Sequence, residues 1–240
     1  MRISAIAQRL AGLFVVAFVS APGLAGAAPV TFKFEADIFS VGDLLLPVKP
    51  TDPSGHKLTG RITYDNAAPV KLFKPTVAVH VLALKNLSIG IEPLGLTWAN
   101  TAPHDIILIN DHDPGGGNRF DSFSFGNAPI AGSELDGAGV TMNPKFFTFS
   151  LMDRDEKVFD DLALPRDFDF SAFDTTVGFV VFEGLIPDPN APGEFETVQQ
   201  SLELRITALE FISVPEPATL AMLGIGLAGL GLARRWNRDA

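Results

Sequence analysis

Apolar and polar residues alternate with a period of two along most of this chain, and its interior sustains no helical period. Residues 30–38 read VTFKFEADI, which predicts a half-buried strand with Phe32 and Phe34 turned to one face. The same alternation marks residues 58–64, ending in a turn at Asp65 and Asn66, then 77–84 after Pro75, and 87–91. Residues 106–109 form a short apolar run, read as a strand buried on both faces. Residues 120–125 and 146–151 place phenylalanines two apart, and 177–182 and 201–212 supply the last strands. Clusters of Gly, Pro, Asn and Asp at 52–55 and 187–190 punctuate the pattern. Eight or more short strands with turn-rich connections predict an all-β domain, an antiparallel β-sandwich or jelly roll. Its core candidates are Phe32, Phe34, Phe123, Phe125, Phe147, Phe149, Val180 and Phe182.

The two ends break this pattern. Arg2 and Arg9 flank an N-terminal region without acids, residues 10–19 are wholly apolar, and Pro22 and Gly23 then break the run. Ala25, Gly26 and Ala27 make an A-x-A site, so residues 1–27 read as a signal peptide cut between Ala27 and Ala28. At the other end Pro215, Glu216 and Pro217 precede an uncharged apolar stretch, residues 218–233, and then Arg234, Arg235, Trp236 and Arg238. Sixteen residues at 1.5 Å rise span about 24 Å as a helix, short of a hydrocarbon core of about 30 Å. The arginines act as stop-transfer charges and place the bulk of the chain outside the cytoplasm. The two prolines hold Glu216 in an extended segment just outside the helix.

A Pro-Glu-Pro tripeptide, a short apolar helix and a terminal arginine cluster, in that order over residues 214–240, resemble the PEP-CTERM sorting signal. That resemblance implies an exosortase-type membrane transpeptidase of Gram-negative bacteria as partner. It makes Pro215, Glu216 and Pro217 the recognition motif and the helix a temporary membrane anchor. The interior, through residues 60–65 (GRITYD) and 202–204 (LEL), also resembles the ectodomains of such proteins. This implies a secreted β-rich domain over residues 28–213 and brings no catalytic residues with it.

Between the ends, thirteen Lys and Arg face twenty-six Asp and Glu, a net charge of −13 over residues 28–214. Such a surface opposes binding to a phosphate backbone, so no nucleic-acid partner is expected. The chain has no cysteine, so stability must come from packing. Of its aromatics twenty are Phe, with one Tyr and two Trp; Phe favours burial, whereas sugar-stacking platforms favour Tyr and Trp.

Candidate chemistry concentrates at residues 110–121. Asp111, Asp113 and Asp121, with Asn118, offer hard oxygen ligands for Ca²⁺ around three glycines. Ser122 stands where an EF-hand needs Glu, and the alternative is a solvated turn. A second acidic cluster, Asp153, Asp155, Glu156, Asp160 and Asp161, is interleaved with Arg154 and Lys157. His56, His80, His104 and His112 show no metal-ligand spacing, and no nucleophile elbow or phosphate loop is present. The expectation is therefore a non-enzymatic exported protein, sorted to the cell surface or extracellular matrix, with extracellular polysaccharide as a further candidate partner. The alternatives are a Ca²⁺-dependent adhesin or glycan-binding module, and a glycan-active enzyme with Trp98 beside paired carboxylates.

Overall fold

The computed structural model describes residues 29–45, 56–115, 119–137 and 139–212. The signal peptide, the sorting motif and the predicted membrane helix lie outside these residues. Eleven strands form: β1 Val30–Val41, β2 Lys57–Tyr64, β3 Val70–Lys74, β4 Val77–Ile91, β5 Leu96–Asn100, β6 His104–His112, β7 Phe120–Gly132, β8 Leu135–Gly137, β9 Val140–Asp153, β10 Thr175–Pro187 and β11 Phe195–Ile212. Every pairing is antiparallel. Among the described residues there is no α-helix, only two single 3₁₀ turns at Glu92–Leu94 and Phe170–Ala172.

The strands close on themselves. The ring runs β1-β2-β4-β6-β7-β9-β10-β11 and returns to β1, because β7 pairs with β9 as well as with β6. This corrects the expected sandwich or jelly roll. Apart from the short β3, β5 and β8, ring neighbours are also successive in the chain, so the architecture is an eight-stranded up-and-down barrel. One seat in the ring is shared: β5 pairs with the second half of β4 and β6 with the first half. Asn100 bridges the break between them, accepting the Leu87 N–H at 2.7 Å and donating to the Ala102 carbonyl at 2.8 Å. At this seat Gly132, with φ +149°, brings β7 so close to β5 that an added Cβ would lie 2.1 Å from the Thr97 oxygen.

Alternation decides what fills the barrel. All eight core candidates are buried to 2% exposure or less. The Phe149 ring meets Phe32 at 5.9 Å, Phe34 at 5.5 Å and Phe125 at 5.6 Å, so phenylalanines from three strands occupy one another's gaps. Outward positions on the same strands are polar, as Lys33, Glu35 and Asp37 show on β1. Residues 106–109 depart from expectation: Ile106 and Leu108 face inward, while Ile107 and Ile109 are only half-buried. In a barrel one face of every strand must look outward.

Candidate functional site

The barrel mouth at which β9 ends and β10 begins is covered by residues 154–174. This segment lacks the alternation needed to pair as a strand, and it folds as a plug instead. Phe159, Leu164 and Phe173 are buried. The Phe168 ring packs on Phe211 at 4.9 Å, Phe173 at 5.3 Å and Phe123 at 5.7 Å.

Two of the acids singled out as metal candidates, Asp121 and Asp153, hold this plug. Asp121 is fully buried; its Oδ1 accepts the Asp111 N–H at 2.9 Å, and its Oδ2 accepts the N–H groups of Val158 and Phe159 at 3.1 and 3.0 Å. Asp153 stands opposite Asp121 in the β7–β9 register and is likewise buried. Its two oxygens accept the N–H groups of Asp155 and Lys157 at 2.8 and 2.9 Å. A buried carboxylate is tolerable where backbone amides satisfy it in this way. Asp113 accepts the Gly115 N–H within its own turn, and Asn118 lies outside the described residues. Among the described residues no three His, Asp or Glu side chains gather as a metal site.

Two further side chains reach the plug from inside the barrel. The Tyr64 hydroxyl donates to the Pro165 carbonyl, and the His80 Nε2 lies 2.9 Å from the Leu162 carbonyl. Burial, and then the nearby Asp167 carboxylate, drive the Tyr64 phenol far above its ordinary value. Burial lowers the His80 imidazole below 6.5, against the Leu162 carbonyl, which raises it. With Nε2–H donating to that carbonyl, the ring is neutral and its buried Nδ1 has no partner. Of the other histidines, His104 bonds the Gly126 carbonyl at 2.6 Å and His112 the Thr76 hydroxyl at 2.9 Å.

Trp98 is 1% exposed; its Nε1–H donates to the Ser133 carbonyl at 2.7 Å and its ring meets Phe182 edge-on. It fills the interior rather than lining a cleft. On the outer wall a groove of about 510 Å³ crosses β11, β1, β2, β4 and β5, with Lys33, Glu35, Arg61, Ser88, Glu92 and Glu210 around it. Glu35 is joined there to Lys57 at 3.3 Å.

Ala27, Ala28, Pro215, Glu216, Pro217, Arg234, Arg235 and Arg238 lie outside the described residues. Among the described residues no helix is long and apolar enough to cross a membrane. Tyr64 and His80 were not anticipated as plug contacts, although His80 shares the inward parity of Ala78.

Comparison with curated proteins and with solved structures finds no match. The last strand of the barrel ends at Ile212. From the very next residue, over 213–235, the chain carries the PEP-CTERM protein-sorting motif.

Proposed function

We propose that this chain is a non-enzymatic exported protein of the cell surface or extracellular matrix, processed by an exosortase-type enzyme at Pro215, Glu216 and Pro217. A signal peptide is removed between Ala27 and Ala28, and the apolar stretch over residues 218–233 holds the chain in the membrane until processing. The observation that carries this reading is the sorting motif starting one residue after the barrel ends. The barrel supports it through where its buried polar groups go: Asp121, Asp153, Tyr64 and His80 hold a plug over a packed interior. Glu216→Ala is expected to block maturation while leaving export and folding intact, read as a mass shift in cells that contain the sorting enzyme. Neutralising Arg234, Arg235 and Arg238 together is expected to weaken membrane retention instead. If Glu216→Ala matures normally and deleting the enzyme changes nothing, the tail is an ordinary anchor.

A second reading, a glycan-binding module, is favoured by the outer groove, whose wall sets Lys33 opposite Arg61 beside the hydroxyls of Thr59, Ser88 and Thr97. Loss of polysaccharide retention in Arg61→Ala, measured by affinity electrophoresis, is its expected mark. Equal retention of variant and wild type removes it.

A further inference from the structure

The β3–β4 hairpin carries a surface that the barrel does not use. All five residues of β3 are exposed, with Leu72 at 64% and Phe73 at 71%. Phe73 is the bulged residue next to the turn at Pro75 and Thr76, so it stands at the tip. Lys71 and Lys74 flank these apolar side chains. No acid occurs between Asp65 and Glu92, in a domain where acids outnumber bases two to one. Exposed apolar groups set between lysines suit the interface of a bilayer, where apolar side chains enter the headgroup layer and ammonium groups meet lipid phosphates.

The place of the hairpin in the barrel says which surface it meets. Ile212 lies opposite Thr31, Thr31 opposite Thr63, and Tyr64 opposite Leu84, so the chain leaves β11 at the end from which the hairpin extends. From Leu84 to Val77 β4 runs seven residues further toward that end, paired there with β6, and β3 lies along its other edge. The chain from Ile212 to residue 218, where the apolar stretch begins, spans at most about 21 Å when fully extended.

We propose that the β3–β4 hairpin is the foot on which the barrel stands at the bilayer that holds the sorting tail, with Leu72 and Phe73 inserted and Lys71 and Lys74 at the lipid phosphates. The proposal rests on the membrane-anchored tail of the preceding section. The plug at the same end carries Asp155, Asp160, Asp161, Asp167 and Asp169, whose charge keeps the mouth itself away from anionic lipid.

The chain has no cysteine, so one can be placed at will. The full chain is reconstituted in vesicles of phosphatidylethanolamine and phosphatidylglycerol, carrying an environment-sensitive fluorophore at Leu72→Cys or, on the opposite end, at Asn190→Cys. Flotation reports anchoring, and quenching by spin-labelled lipid reports immersion. Flotation with quenching at position 72 and none at 190 is the expected result. Flotation with equal, weak quenching at both sites overturns the foot and leaves the anchored tail standing. Failure to float overturns the anchored tail and the foot with it. Lys71→Glu and Lys74→Glu each replace an exposed side chain, and their circular-dichroism spectra are expected to match the wild type. Each is expected to weaken immersion roughly fivefold; immersion unchanged in both overturns the assignment of the lysines.

Discussion

Two hairpins stand at opposite ends of the barrel, and they differ in charge. β3–β4 runs seven residues beyond Leu84, and β10–β11 runs seven beyond Leu202, where β11 meets the end of β1. Each carries exposed apolar side chains near its turn: Leu72 and Phe73 on the first, Leu185 and Phe195 on the second. The first contains lysines and no acid. The second contains Glu183, Asp188, Glu194 and Glu196, and no Lys or Arg occurs between Arg166 and Arg205. Apolar exposure alone would make the two tips equivalent. Charge separates them, and the cationic one stands at the end where the chain leaves for its sorting tail.

The largest change in this contrast is expected from Asp121→Ala, which leaves three amides at the mouth without their acceptor. It should cost about 3 kcal/mol in urea unfolding. Hydrogen exchange should rise in residues 154–174 while the β10–β11 hairpin keeps its protection; a uniform rise would erase the distinction between the two ends. A smaller effect follows from exchanging charge. Glu194→Lys with Glu196→Lys around Phe195 should give the far hairpin an affinity for anionic vesicles, a gain of roughly thirtyfold in immersion at Asn190→Cys. If the converted tip stays dry, charge is not what distinguishes the hairpins.

Acid should act on one end before the other. The folded state holds the His80 imidazole below 6.5, so the unfolded chain takes up its proton first as pH falls. The stability tied to neutral His80 is complete above 6.5 and is lost as pH falls from there through the lowered folded value. Urea midpoints should therefore drop between pH 7.5 and 5, and His80→Gln should flatten that slope. An equal slope in the variant would move the cause elsewhere. The smallest effect is expected from chelation: with both Asp121 oxygens taken by amides, EGTA should leave the melting temperature where millimolar Ca²⁺ leaves it. A clear upward shift with Ca²⁺ would restore a metal to the mouth.

Much of the fold was legible because alternation reports which face of a strand is apolar. Phe147, Phe149 and Leu151 stand inward just as their spacing implies. Closure was not legible: alternation names a face but not a partner, and whether β7 meets β9 depends on strand number and stagger, which no local pattern records. The same parity held an unread signal at the site. Asp121 shares the parity of Phe123 and Phe125, and Asp153 that of Phe149 and Leu151. A carboxylate at an inward position must find donors inside, which marks an anchor more than an ion ligand. β3 was missed because five exposed residues show no alternation at all.

One pairing has a consequence for the order of events during export. Neighbours in the ring are mostly neighbours in the chain, so each hairpin can form as it emerges. The exception is the closing pair, in which Thr31 waits for Ile212 and Val41 for Leu202. For a chain threaded outward with its N-terminus leading, β1 arrives first and stays an open edge until nearly the whole domain has crossed. The last residue to complete the barrel stands directly before the sorting motif. Closure therefore comes last: an incompletely exported chain pairs its first strand with β2 alone, and the other edge stays open until the residue before the sorting motif has crossed.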